Sequence, residues 1–66
     1  MLTIRLKSAV ALDRYLKMAH WEKIYFSVDV EDTGTKVNFL VKLNTNKKTF
    51  VELVKKYHYS NYEIVE

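Results

Sequence analysis

The chain contains no cysteine, no proline and a single glycine, Gly34, among its 66 residues. Each scarcity removes a class of explanation. Without cysteine there is no disulfide framework and no thiolate-held zinc, and His20 and His58, far apart in sequence, make a poor substitute. Without proline there is no built-in kink. One glycine leaves nothing from which to make a glycine-rich phosphate loop, and implies short connections whose residues keep ordinary helix or strand geometry. Long apolar runs are missing as well. The longest aliphatic stretch, residues 9–12, is far too short to cross a membrane. Met1-Leu2-Thr3-Ile4-Arg5-Leu6-Lys7 carries charges where a signal peptide needs its apolar segment, so a cytoplasmic location is expected, with no membrane partner.

What is present is an apolar content of 48% with 14% aromatic residues, enough for a packed core. A chain of this length makes one domain and buries only about 60% of its unfolded surface, so it gains from a good core or from a partner subunit. The formal charge of +3 is unevenly spread. Arg5, Lys7, Arg14, Lys17 and Lys23 outnumber Asp13 and Glu22 in the first third, and Lys47, Lys48, Lys55 and Lys56 face only Glu52 near the end. Asp29, Glu31 and Asp32 make the middle acidic. Such a field can steer an anionic partner, although a solubilising surface looks the same.

Hydrophobic spacing divides the chain into six elements. Leu2, Ile4 and Leu6 alternate with Thr3, Arg5 and Lys7 as in a half-buried strand. Ser8 offers an N-cap oxygen, after which Leu12, Leu16 and Ala19 recur at helical intervals, flanked by Tyr15 and Met18, up to His20 or Trp21. Ile24, Phe26, Val28 and Val30, then Val37, Phe39, Val41 and Leu43, read as two strands. Between them Gly34 sits where a turn needs positive φ. Asn44-Thr45-Asn46 supplies caps for a helix with the stripe Phe50, Leu53, Val54 and Tyr57. The capping-box spacing of Thr49 and Glu52 allows a start as late as Thr49. Tyr62, Ile64 and Val65 suggest a short last strand within residues 61–65.

The order β-α-β-β-α-β, with right-handed crossovers, implies an α+β domain over residues 1–66: a four-stranded antiparallel sheet with both helices on one face. This resembles the ferredoxin-like topology, which many unrelated functions share. The face away from the helices would show Thr3, Arg5, Lys7, Tyr25, Ser27, Asp29, Lys36, Asn38, Leu40, Lys42, Glu63 and Val65, and the inner face would bury Phe26, Val28, Val30 and Val37 with the rest of the core.

No residue pattern carries chemistry. Asp32-Thr33-Gly34 looks like the catalytic tripeptide of aspartic proteases, but that mechanism needs two such aspartates in a dry cleft. Here the acidic pair Glu31-Asp32 precedes a turn, Thr35 follows the glycine, and no segment is left to form a flap. His20 and His58 fit helix C-termini better than a catalytic base. No enzymatic activity, catalytic residue, metal or cofactor is expected.

Three binding roles are left. The first is a protein-interaction module, a small stand-alone regulator or inhibitor of the kind phages make, using the open sheet face or an edge strand. Arg5, Lys7, Tyr25, Leu40, Lys42 and Val65 are its candidate contacts, and a homodimer is one expected form. The second is nucleic-acid binding through phosphate contacts from Lys47, Lys48, Lys55 and Lys56 or from Arg5, Lys7 and Lys42. RNA-recognition modules stack bases on aromatics of the two central strands, and this chain places none there. The third and least favoured is ligand sensing in the manner of ACT domains. These use a glycine-containing loop after the first strand, where this chain has Lys7-Ser8-Ala9.

Overall fold

A computed structural model describes residues 1–65 and contains six elements in the expected order. They are β1 (Leu2–Leu6), α1 (Ala9–Trp21), β2 (Phe26–Asp32), β3 (Val37–Leu43), α2 (Lys47–Tyr57) and β4 (Glu63–Ile64). The sheet is antiparallel throughout, in the order β2-β3-β1-β4, which is the ferredoxin-like arrangement. Ile64 pairs with Ile4, so the last strand does join the first, for two residues only.

Local chemistry accounts for most element ends. Ser8 adopts an extended conformation and its hydroxyl accepts from the Ala11 amide at 3.1 Å, satisfying one free donor at the start of α1. Asn46 does the same for α2 through the Thr49 amide at 2.8 Å, so that helix begins at Lys47 rather than at Thr49. Both helices close with the Schellman pattern. The Ile24 amide donates to the Ala19 carbonyl and the Lys23 amide to that of His20. At α2, Tyr59 donates to Val54 and His58 to Lys55. This closure needs a left-handed residue, and with no second glycine the chain uses Lys23 (φ 56°) and His58 (φ 61°). The expectation of ordinary geometry at nearly every residue has its two non-glycine exceptions at the helix ends, where satisfying the last carbonyls outweighs the side-chain clash. Ile24, expected in the second strand, is spent on the first of these closures.

The core is formed by Leu2, Ile4 and Leu6 of β1, Val41 and Leu43 of β3, Ala11, Tyr15, Met18 and Ala19 of α1, and Phe50 and Val54 of α2. The buried stripe of α1 is thus rotated from the expected one: Tyr15 is 1% exposed, whereas Leu12 and Leu16 are only partly buried. Aromatic packing causes the rotation. The Tyr15 ring lies 5.2 Å from that of Tyr59 and 6.1 Å from those of Phe50 and Tyr62, while Phe50 and Tyr62 meet edge to face at 5.0 Å. This cluster draws both helices over β1, β3 and β4.

Strand β2 is left behind. The register places Phe26, Val28 and Val30 on the helix side, in rows with Leu43 and Leu2, Val41 and Ile4, and Phe39 and Leu6. Yet Phe26 is 42% exposed, Val28 36%, Val30 64% and Val37 49%. The expectation that these four residues are buried beneath the helices is therefore corrected. They belong to the inner face, but the helical layer does not reach them.

Candidate interaction surface

Three surface features could support function: the polar open face of the sheet, the clefts around α1, and the uncovered apolar strip along β2.

The open face is internally compensated. Arg5, on central strand β1, reaches across β3 so that its Nε lies 3.0 Å from a Glu31 carboxylate oxygen on β2, and it donates on its other side to Glu63 of β4. The Asn38 amide donates to the same Glu31 oxygen at 3.1 Å. The hydrogen bonds from Arg5 and then Asn38 hold the Glu31 carboxyl below its ordinary range, and the contacts with Glu31 and Glu63 raise Arg5. Arg5 is thus engaged by two carboxylates. Glu31, of the acidic pair that precedes the turn, lies half-buried on the sheet.

The remaining predicted contacts are scattered. Lys42 is exposed on β3 opposite Thr3 and Ser27, and Leu40 is half-buried on the same face opposite Arg5 and Asp29. Lys7 lies just beyond β1, Tyr25 just before β2, and Val65 just after β4, where its amide donates to the Thr3 carbonyl. The α2 lysines do not form one patch. Lys47 and Lys48 occupy the first turn and Lys55 and Lys56 the last, with Glu52 between Lys48 and Lys55 at helical spacing. Lys56 lies 3.5 Å from Glu22 and over the Tyr57 ring. Among the described residues no helix is long and apolar enough to cross a membrane.

Two connected clefts flank the N-terminus of α1. The larger, about 380 Å³, is lined by Arg5, Lys7 and Ser8 but also by Glu63, so its charge is mixed. The smaller, about 90 Å³, is lined in part by Tyr15, whose buried hydroxyl has no hydrogen-bond partner among the described residues. Burial, with the nearby Tyr62 and Tyr59 phenols, pushes that phenol above its ordinary range. At the other end of α1, Tyr57 donates to Glu22 at 2.5 Å, which lowers the Glu22 carboxyl, and the Trp21 ring stacks on Tyr57 at 6.1 Å. This contact clasps the two helix C-termini.

The third feature was missed by sequence reasoning. Phe26, Val28 and Val30 project from one side of β2, and Val37 continues the strip on β3. A depression of about 460 Å³ bounded by Ile24, Tyr25 and Phe26 opens at its base. β2 is also an edge strand among the described residues, with seven residues, no proline and one unpaired side. The alternation that revealed the strand could not reveal this exposure, since a period of two is identical whether or not a helix lies above it. The concentration of tyrosines at residues 57–62 was the one available sign that the core would lie toward β4. The chain matches no protein-family model, no curated protein and no solved structure.

Proposed function

We propose that this chain is a non-enzymatic protein-interaction module, a small regulator that acts by binding a partner protein along β2. The observation that carries this reading is the coincidence on one strand of an unpaired backbone edge and an uncovered apolar strip, Phe26-Val28-Val30. An added strand would satisfy the edge amides and carbonyls while covering the valines, combining main-chain affinity with side-chain selectivity. The ion pairs of Arg5 with Glu31 and Glu63 leave Arg5 engaged within the open face, where Leu40 and Lys42 also lie, which supports the edge beside it as the binding surface. They also weaken the nucleic-acid alternative by occupying its central cation. The test is affinity capture with the chain and with Val30→Lys, each with and without nuclease. A partner that survives nuclease and is lost with Val30→Lys supports the reading. A partner lost to nuclease or moderate salt, and insensitive to Val30→Lys, overturns it in favour of phosphate recognition by the lysines.

A further inference from the structure

The register and charge pattern of β2 go further and specify an occupant. We propose that a second copy of this chain pairs with the first, β2 against β2 in antiparallel fashion, with Val28 on the two-fold axis. This inference rests on the assignment of β2 as the binding edge and names its partner.

A two-fold antiparallel pairing of one strand with itself allows few registers, and the sequence Phe26-Ser27-Val28-Asp29-Val30-Glu31-Asp32 discriminates among them. Centring on Asp29 uses the whole strand but sets Asp29 against its own copy and Phe26 against Asp32. Centring on Val30 sets Asp29 against Glu31 and Val28 against Asp32. Like charges directly opposite destabilise a sheet, and an apolar residue facing an aspartate leaves the strip uncovered. Centring on Ser27 overlaps only three strand residues.

Centring on Val28 meets none of these objections. Val28 faces Val28 of the second copy, Phe26 faces Val30, and Val30 faces Phe26, so the three exposed apolar residues of each chain cover one another on the inner face. On the open face Asp29 of one copy faces Ser27 of the other, and Ser27 is paired in turn with Lys42 of β3. Lys42 would then reach over Ser27 to the opposing Asp29 on each side of the axis. The fold already contains such a reach, because Arg5 on β1 spans β3 to contact Glu31 on β2. The acidic residue that forbids the neighbouring register is thus neutralised in this one. The result is a continuous eight-stranded sheet, made from two copies of the four-stranded one, with its edges at the two-residue β4 strands.

Sedimentation equilibrium of the unmodified chain tests the dimer, and cysteine cross-linking tests the register against a background with no native cysteine. We expect a reversible monomer–dimer equilibrium, weakened at least about tenfold in Val28→Lys, which places two ammonium groups across the axis. Cα atoms opposed in antiparallel strands lie about 4.5–5.5 Å apart, within disulfide range, so Val28→Cys should form a covalent dimer on mild oxidation. Asp29→Cys alone should not, whereas a mixture of Ser27→Cys and Asp29→Cys should. A chain that stays monomeric to about 1 mM, a dissociation constant worth only about 4 kcal/mol, overturns the proposal. So does a dimer that cross-links through Asp29→Cys, or one that Val28→Lys leaves intact. Monomeric behaviour combined with Val30→Lys-sensitive capture of another protein would reject the dimer and retain β2 as the binding edge; loss of both would reject the edge itself.

Discussion

Gly34 allows the backbone contribution to this fold to be measured apart from side-chain packing. Asp32 ends β2, Val37 begins β3, and Thr33 and Lys36 are linked by a backbone bond of 3.0 Å and by the Thr33 hydroxyl. Gly34 and Thr35 form the two-residue loop. Of these two only Gly34 has positive φ, 88°, the geometry that a tight loop between right-twisting strands draws from glycine. A Cβ built on Gly34 would meet no atom within 4 Å, so a substitution there costs conformational energy and no steric repacking. The left-handed penalty for an L-residue is about 1–2 kcal/mol, offset by about 0.5–1 kcal/mol because alanine loses less chain entropy on folding than glycine. Gly34→Ala should therefore destabilise the domain by up to about 1.5 kcal/mol, lowering Tm by up to roughly 12 °C at 4–8 °C per kcal/mol. Gly34→Val should cost more because it is β-branched. A chain this short can be made by chemical synthesis, and D-alanine in place of Gly34 should raise stability by about 0.4–1 kcal/mol, since it keeps the entropic gain without the penalty. Thermal and urea unfolding of the three chains provide the measurement. Equal effects of L- and D-alanine would refute the turn assignment and the strain reasoning together.

The same reasoning runs in reverse at the helix ends. Lys23→Gly and His58→Gly should each stabilise the fold by about 0.5–1 kcal/mol, and an unfolding free energy lowered by either would show that the Schellman closures do not hold in solution. Tyr15→Phe removes a buried hydroxyl that has no partner, an arrangement that costs about 1–3 kcal/mol, so urea unfolding should show a protein at least as stable as the original. For the carboxylates the sign is fixed by their downward shifts: Glu22 is lowered chiefly by the Tyr57 hydrogen bond and Glu31 chiefly by that of Arg5. Their stabilisation is complete above the ordinary value of 4.5 and is lost as pH falls through the lower folded values. Tm should accordingly fall in acid below that value, and in Tyr57→Phe the Glu22 titration followed by NMR should move up while that of Glu31 stays; an unmoved Glu22 would remove the clasp between the helix ends.

Much of the fold was legible because each element announces itself locally. The strands β1 and β3 alternate cleanly, Ser8 and Asn46 carry cap oxygens, and Gly34 marks the one turn that needs it. What was not legible depends on contacts distant in sequence. The α1 stripe centres on Tyr15 rather than on Leu12 and Leu16 because Tyr59 and Tyr62 arrive from the far end of the chain. Arg5 reads as a free cation until the sheet brings Glu31 and Glu63 to either side of it. The strip on β2 reads as core because its alternation is that of a core strand, and only the placement of the helices uncovers it. Arg5, Leu40 and Lys42, the strand residues among the candidate contacts drawn from the sequence, lie on the face of the sheet opposite this strip.

The uncovered strip has an energetic consequence. A domain of this size begins near the margin of stability, and this one also carries two non-glycine residues in left-handed geometry and a buried phenol without a partner. Phe26, Val28 and Val30 leave 42%, 36% and 64% of their surface in water, so each stabilises the folded monomer less than a fully buried side chain would. Pairing β2 with a second copy converts that surface to burial in the native state only, and binding that favours the native state adds stability by mass action. Apparent stability should therefore depend on protein concentration. Raising the concentration to about a hundred times the dimer dissociation constant should add on the order of 2 kcal/mol and raise Tm by roughly 8–16 °C. Differential scanning calorimetry from micromolar to millimolar chain measures this directly. Val28→Lys should remove the dependence; because Val28 is only 36% exposed in the monomer, the same change also lowers the dilute-limit Tm, so the concentration dependence and not the midpoint itself is the readout. A midpoint independent of concentration across that range would mean that the strip stays open and that the domain stands on its core alone.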